Sequence, residues 1–144
     1  MLHNTADCEA DRQRFIQRVI SSETVWALEG EAGFAWCESN EDEDRNIIVF
    51  WSDRAYAERA RKALFPEYEP VEITLFNFLF RWLGGMANDG VFAGANWTGD
   101  LAGIETNPEE LQDWIMEEMP ESMRERYFDQ LEKGLAEQKD SREK

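Results

Sequence analysis

The sequence predicts an α+β fold, a mostly antiparallel sheet of about five strands with helices packed against it. Three observations predict it. Apolar residues recur at helical spacing at both ends of the chain, and short aromatic and β-branched runs bounded by glycine or proline occupy the middle. The two kinds of segment do not alternate as regular βα units, so the expected order is α-β-β-β-α-β-α-β-α-α. With 144 residues, 42% of them hydrophobic, the chain can bury one core. The expected domain covers 1–137, followed by a frayed polar tail over 138–144, since from Ala136 onward no apolar residue exceeds alanine.

Each element has its own signature. Phe15, Ile16, Val19 and Ile20 share one face of an opening helix over 8–20. Residues 25–29 and 34–37 flank Gly30-Glu31-Ala32-Gly33, which reads as a hairpin turn. After an acidic loop over 39–45, Asn46-Ile47-Ile48-Val49-Phe50-Trp51 is the most continuous apolar run of strand length and is placed centrally. Ser52 is a candidate cap for a second helix lined by Tyr56, Ala60, Ala63 and Leu64, which Pro66 ends.

Residues 71–75 alternate as a half-buried strand, and 76–87 form a helix apolar around most of its circumference, which must therefore be buried. Asn88-Asp89-Gly90 supplies a turn into a strand over 91–97, where Gly94 marks a bulge or a close approach. A glycine-containing loop over 98–106 follows. Asn107-Pro108-Glu109-Glu110 combines a capping side chain, proline at the first helical position and an acid three residues on. Pro120 restarts the chain into a last helix with Met123, Tyr127, Phe128, Leu131 and Leu135 along one side.

These short patterns, taken together, carry a resemblance. Val25-Trp26-Ala27-Leu28, Gly33-Phe34-Ala35, Val49-Phe50-Trp51-Ser52 with Ala57, Ile73-Thr74-Leu75 with Phe78 and Leu79, Asp89-Gly90 and Pro108-Glu109-Glu110-Leu111 resemble the bacterial domain-of-unknown-function family 2750. The match runs from about Phe15 to Met119. The resemblance implies a small bacterial α+β protein and brings no catalytic residues to carry over. The last helix and its acidic tail fall outside it.

Composition excludes several function classes. Against 31 Asp and Glu stand 15 Lys and Arg, a formal charge of −16, which opposes nucleic acid and anionic membrane surfaces alike. The densest basic stretch, Arg59, Arg61 and Lys62, reads as a solvated helical face, because no glycine-rich loop accompanies it. Two cysteines, Cys8 and Cys37, and a single His3 are too few for a zinc site or a disulfide framework. Neither G-x-G-x-x-G nor G-x-x-x-x-G-K-[ST] occurs, so no cofactor is expected. Residues 1–11 hold no basic region or apolar run of signal-peptide length, and the expected location is cytoplasmic.

Among candidate sites, His3 lies in a terminal segment unsuited to positioned base chemistry, and Cys37, beside Glu38, reads as an inert thiol. Glu38, Glu41, Asp42, Glu43 and Asp44 gather carboxylates but lack the glycine of a calcium-binding hairpin, so no metal is expected. Asp89 and Asp100 flank the strand ending at Trp97 and read as turn residues. The leading ligand or partner surface is Trp97 with Asn96, Asp100 and Asp89, where a strand opens into a loop. On that reading Trp97→Ala leaves folding intact.

The resulting expectation is a non-catalytic, acidic protein-binding or adaptor module for a protein partner, in its electrostatic version a basic one. The alternative is a small-molecule-binding protein or enzyme using carboxylates such as Asp89, Asp100 or Glu72 in a sheet-helix pocket. A third option is self-association through Tyr127, Phe128 and Leu131.

Overall fold

The computed structural model describes residues 5–39, 41–97 and 103–143, with side chains described for 9–39, 41–97 and 103–136. The elements run α1 (Thr5–Ser22), β1 (Thr24–Gly30), β2 (Gly33–Phe34), β3 (Trp36–Glu38), β4 (Asn46–Phe50), α2 (Arg54–Leu64), β5 (Glu69–Thr74) and α3 (Leu75–Asn77). A π-helical turn (Phe78–Trp82) joins α3 to α4 (Leu83–Asp89), and β6 (Phe92–Ala95), β7 (Glu105–Thr106), α5 (Pro108–Glu118) and α6 (Glu121–Glu143) complete the chain. The α+β class is as expected, but the strands form two sheets, in the orders β2-β1-β5 and β3-β4-β6-β7.

The sheets meet where Trp26 and Trp51 exchange backbone hydrogen bonds, each 2.8 Å. β1 pairs antiparallel with β5 from Thr24↔Thr74 to Glu29↔Glu69. β4 is central as predicted, antiparallel to β3 and parallel to β6. The parallel pair needs a long crossover, and α2, β5 and the helical segment 75–89 provide it.

The predicted second strand of the hairpin divides in two. Ala35 N–H still donates to Leu28 C=O, whereas Cys37 lies opposite Ile47, so the chain passes from one sheet to the other between them. The strand predicted over 91–97 stops at Ala95, because Asn96 turns into the left-handed region at φ 55°. Ser52 is not the cap of α2. That position belongs to Asp53, whose carboxylate is committed to Arg18 and Ser52 instead of the helix amides.

Asn107 does cap α5, its Oδ1 accepting from Glu109 N–H at 2.8 Å with Pro108 in the first turn. The helical backbone of α6 reaches Glu143, through the segment expected to fray.

The larger core joins α1 (Phe15, Ile16, Val19) to β1, the 75–89 helices and α5, with Phe50 and Phe78 rings 4.8 Å apart at its centre. The segment predicted as a helix apolar around most of its circumference buries Phe78, Leu79, Leu83 and Met86, leaves Arg81, Gly84 and Gly85 exposed, and meets α6 where Phe76 packs edge-on against Tyr127 at 5.7 Å. A smaller core of Leu28, Ile47, Val49, Trp51, Ala57 and Trp97 lies under α2. No helix among the described residues is long and apolar enough to cross a membrane.

Candidate functional site

Trp97, expected as an aromatic surface, is a core residue, 4% exposed. The cause is its glycine neighbours. The indole lies against Gly94 and Gly103, where an added Cβ would come within 2.6 Å and 2.2 Å of the ring, so both positions require glycine. The close approach anticipated at Gly94 is therefore to this ring. Trp97 Nε1 donates to Ile104 C=O at 3.1 Å, and its own C=O accepts from Trp51 Nε1 at 2.9 Å.

Asn96 is also buried. Its Oδ1 accepts from Ser52 N–H at 2.8 Å and its Nδ2 donates to Ser52 Oγ at 3.0 Å, while its own N–H donates to Phe50 C=O. Ser52 Oγ donates on to Asp53 Oδ1 at 2.6 Å, and Asp53 takes two hydrogen bonds from Arg18, of 2.8 and 2.6 Å. Partial burial pulls the Asp53 carboxyl upward, but the hydrogen bonds from Arg18 and Ser52 and the charge of Arg18 outweigh it and hold the group below its ordinary value. This network ties α1 to the end of β4 and the end of β6.

The other predicted residues do not gather around it. Asp89 is exposed at the end of α4, before Gly90 at φ 70°, which gives it the turn setting the sequence implies. Asp100, with Thr98 and Gly99, lies outside the described residues, as does His3. Glu72 is exposed on β5 and accepts from Thr24 Oγ1. Burial and the charge of Glu105 both push the Cys37 thiol up, so it stays protonated near neutrality. Among the described residues no three His, Cys, Asp or Glu side chains converge as metal ligands.

Two surface features remain. The first is the edge formed by β3. Trp36 and Glu38 point to one side of this strand and Cys37 to the other, and Trp36 is 52% exposed. Ser39 N–H donates to Arg45 C=O in the same register as Cys37↔Ile47, so the backbone groups of Trp36 and Glu38 face away from β4, toward the open edge.

The hairpin beyond is braced from within. Ser39 Oγ accepts from the N–H groups of Glu41 and Asp42, and donates to Glu105. Arg45 lies 3.8 Å from Glu41 and from Asp42, 3.4 Å from Glu105, and stacks over Phe92 at 3.8 Å. Glu41, Asp42, Glu43 and Asp44 are exposed on this loop, at the end of the strand that carries Trp36.

The second feature is a cleft of about 250 Å³ between α1 and α2, into which Arg14, Tyr56, Arg59 and the visible edges of Asn96 and Trp97 project.

The profile of the family described as proteins of unknown function (DUF2750) matches residues 12–115, from the first turns of α1 to Ile115 in α5. The chain belongs to the DUF2750 family. No curated protein and no solved structure matches it. The β3 edge falls within the DUF2750 span, as does the lining of the cleft apart from Asp11, whereas α6, which buries Tyr127 against Phe76, lies beyond it. Because Tyr127 is 3% exposed, the self-association face expected along α6 loses its central ring to the chain's own core, and only Phe128 and Leu135 stand out as exposed large apolar residues there.

Trp36 is a surface residue that the sequence reading did not single out. The signal was present in the alternation: Trp36 shares its side of the strand with Glu38, and a carboxylate two residues away marks a solvent face.

Proposed function

We propose that this DUF2750 protein is a non-catalytic protein-binding module, working in the cytoplasm, that holds an extended basic segment of a partner along the open edge of β3. The observation that carries the reading is Trp36, a half-exposed indole on a strand edge that shares its side with Glu38 and leads into the loop bearing the exposed carboxylates of 41–44. Outward-facing N–H and C=O groups at Trp36 and Glu38 offer hydrogen bonds to an added strand. A Lys or Arg side chain of that strand stacks on the indole, and its neighbours face the carboxylates. The −16 charge steers such a partner and repels a second copy of this chain along the same acidic edge.

The test is a fluorescence-anisotropy titration of the full chain with a labelled decapeptide alternating lysine and valine. Saturable binding that weakens with added salt, and weakens about tenfold in Trp36→Ala at unchanged thermal stability, supports the reading. Binding that is indifferent to Trp36→Ala, or indifferent to salt, overturns it.

A further inference from the structure

The cleft between α1 and α2 stands apart from the β3 edge and does not depend on that reading. Its floor is apolar, formed by Ala60 and Trp97. Its rim carries Arg14 and Asp11 from α1, with Tyr56 and Arg59 from α2. Two guanidinium groups against one carboxylate make this rim cationic on a strongly acidic protein.

The arginines are not equivalent. Arg14 is held by Asp11 at 3.1 Å. Arg18, whose guanidinium lies 5.9 Å from the Tyr56 ring, is committed to Asp53 through both prongs. Arg61 is engaged by Glu58 and by Pro66 C=O. Arg59 lies 5.5 Å from the Tyr56 ring, and among the described residues no carboxylate or carbonyl takes a hydrogen bond from it. A guanidinium placed over an aromatic face at the mouth of a cleft, with no hydrogen-bond acceptor for it among the described residues, is suited to a planar or tetrahedral oxyanion. Asn96, in the same lining, retains one amide N–H beyond the one it gives Ser52.

We propose that this cleft binds a small molecule carrying an oxyanion, a carboxylate or a phosphate monoester, with Arg59 as the principal donor and Trp97 and Ala60 against the ligand's apolar body. A volume of about 250 Å³ falls just below the roughly 300–1,000 Å³ of sites for drug-sized ligands and limits the occupant to about one ring with its charged group. Asp11 competes with the ligand for Arg14.

Isothermal titration of the full chain with benzoate, phenyl phosphate and neutral benzyl alcohol tests this, the first two separating carboxylate from phosphate. Saturable one-to-one binding of either anion and none of benzyl alcohol is expected. Arg59→Ala is expected to weaken it about tenfold, Asp11→Asn to strengthen it, and Arg61→Ala and Trp36→Ala to leave it unchanged. Arg59 is exposed, so its replacement leaves the fold in place, which the melting temperature of the variant checks. Failure of both anions to bind, equal binding of benzyl alcohol, or an Arg61→Ala loss as large as that of Arg59→Ala overturns the proposal.

Discussion

The indole N–H of Trp51 donates to the main-chain carbonyl of Trp97 at 2.9 Å, and this bond joins the end of β4 to the segment leaving β6 beside those that Asn96 makes with Phe50 and Ser52. Trp97 passes the connection on through its own indole to Ile104. The pair forms a continuous buried strut across the smaller core, and its geometry depends on the two glycines beneath the second ring.

Trp97→Ala keeps the main-chain carbonyl that Trp51 uses but removes the indole with its bond to Ile104 and leaves a cavity, with an expected loss of about 3–5 kcal/mol in urea unfolding. Gly94→Ala places a methyl group inside the indole's space and is expected to cost about 1–3 kcal/mol. A Trp97→Ala variant as stable as the parent would show that the ring contributes nothing to the core.

Asn96 has two roles that a pair of substitutions separates. Asn96→Ala strips Ser52 N–H of its buried acceptor and places a Cβ without polar compensation at φ 55°, for an expected loss of about 2–4 kcal/mol. Asn96→Gly loses the same hydrogen bonds but accepts the backbone freely, so its loss is expected to be smaller by about 1 kcal/mol. Equal losses in chemical denaturation would mean that the left-handed conformation carries no strain.

The Arg18–Asp53 pair sets an acid dependence. Asp53 is held below its ordinary 3.8, so the folded chain keeps the carboxylate where the unfolded chain protonates it. The contribution is present above that value and is lost as pH falls below it. Both side chains are partly exposed, which keeps the effect small through solvent screening. The stability gap between the parent and Asp53→Asn, followed by thermal melts, is expected to narrow below about pH 4. A gap constant from pH 7 to pH 2 would exclude this linkage.

Tyr127 sets the opposite dependence. Burial, then the 2.8 Å hydrogen bond to Glu23 and that carboxylate's charge, raise its phenol well above the ordinary 10.0. The folded chain therefore keeps a proton that the unfolded chain releases, and this part of the stability declines as pH climbs past about 10. Tyr127→Phe is expected to cost about 1–2 kcal/mol at neutral pH and to flatten the alkaline decline. Spectrophotometric titration checks this directly: the phenolate absorbance that Tyr127→Phe removes is expected to develop well above the ordinary 10.0.

Local patterns were readable wherever one face or one turn decided the outcome. The helix over 8–20, the hairpin at 30–33, the central strand and the Asn107-Pro108 helix start follow from periodicity and capping, which act over a few residues. The division of residues 33–38 between two sheets did not follow, because an uninterrupted extended run carries no mark of which neighbour each half will meet. Ser52 shows the same limit: its hydroxyl suited a helix cap, but Asn96, distant in sequence, engages its backbone and side chain.

The amino-acid sequence by itself determined the α+β class, the family, the acidic surface and the poverty of nucleophile, metal and phosphate motifs, since these depend on composition and short-range order. Only the tertiary structure decided that Trp97 is interior and Trp36 is not, and that among the described residues Arg18 and Arg61 have hydrogen-bond acceptors while Arg59 has only the Tyr56 ring. Exposure and pairing belong to contacts between elements far apart along the chain, and two tryptophans or two arginines differ only in what the folded chain places beside them.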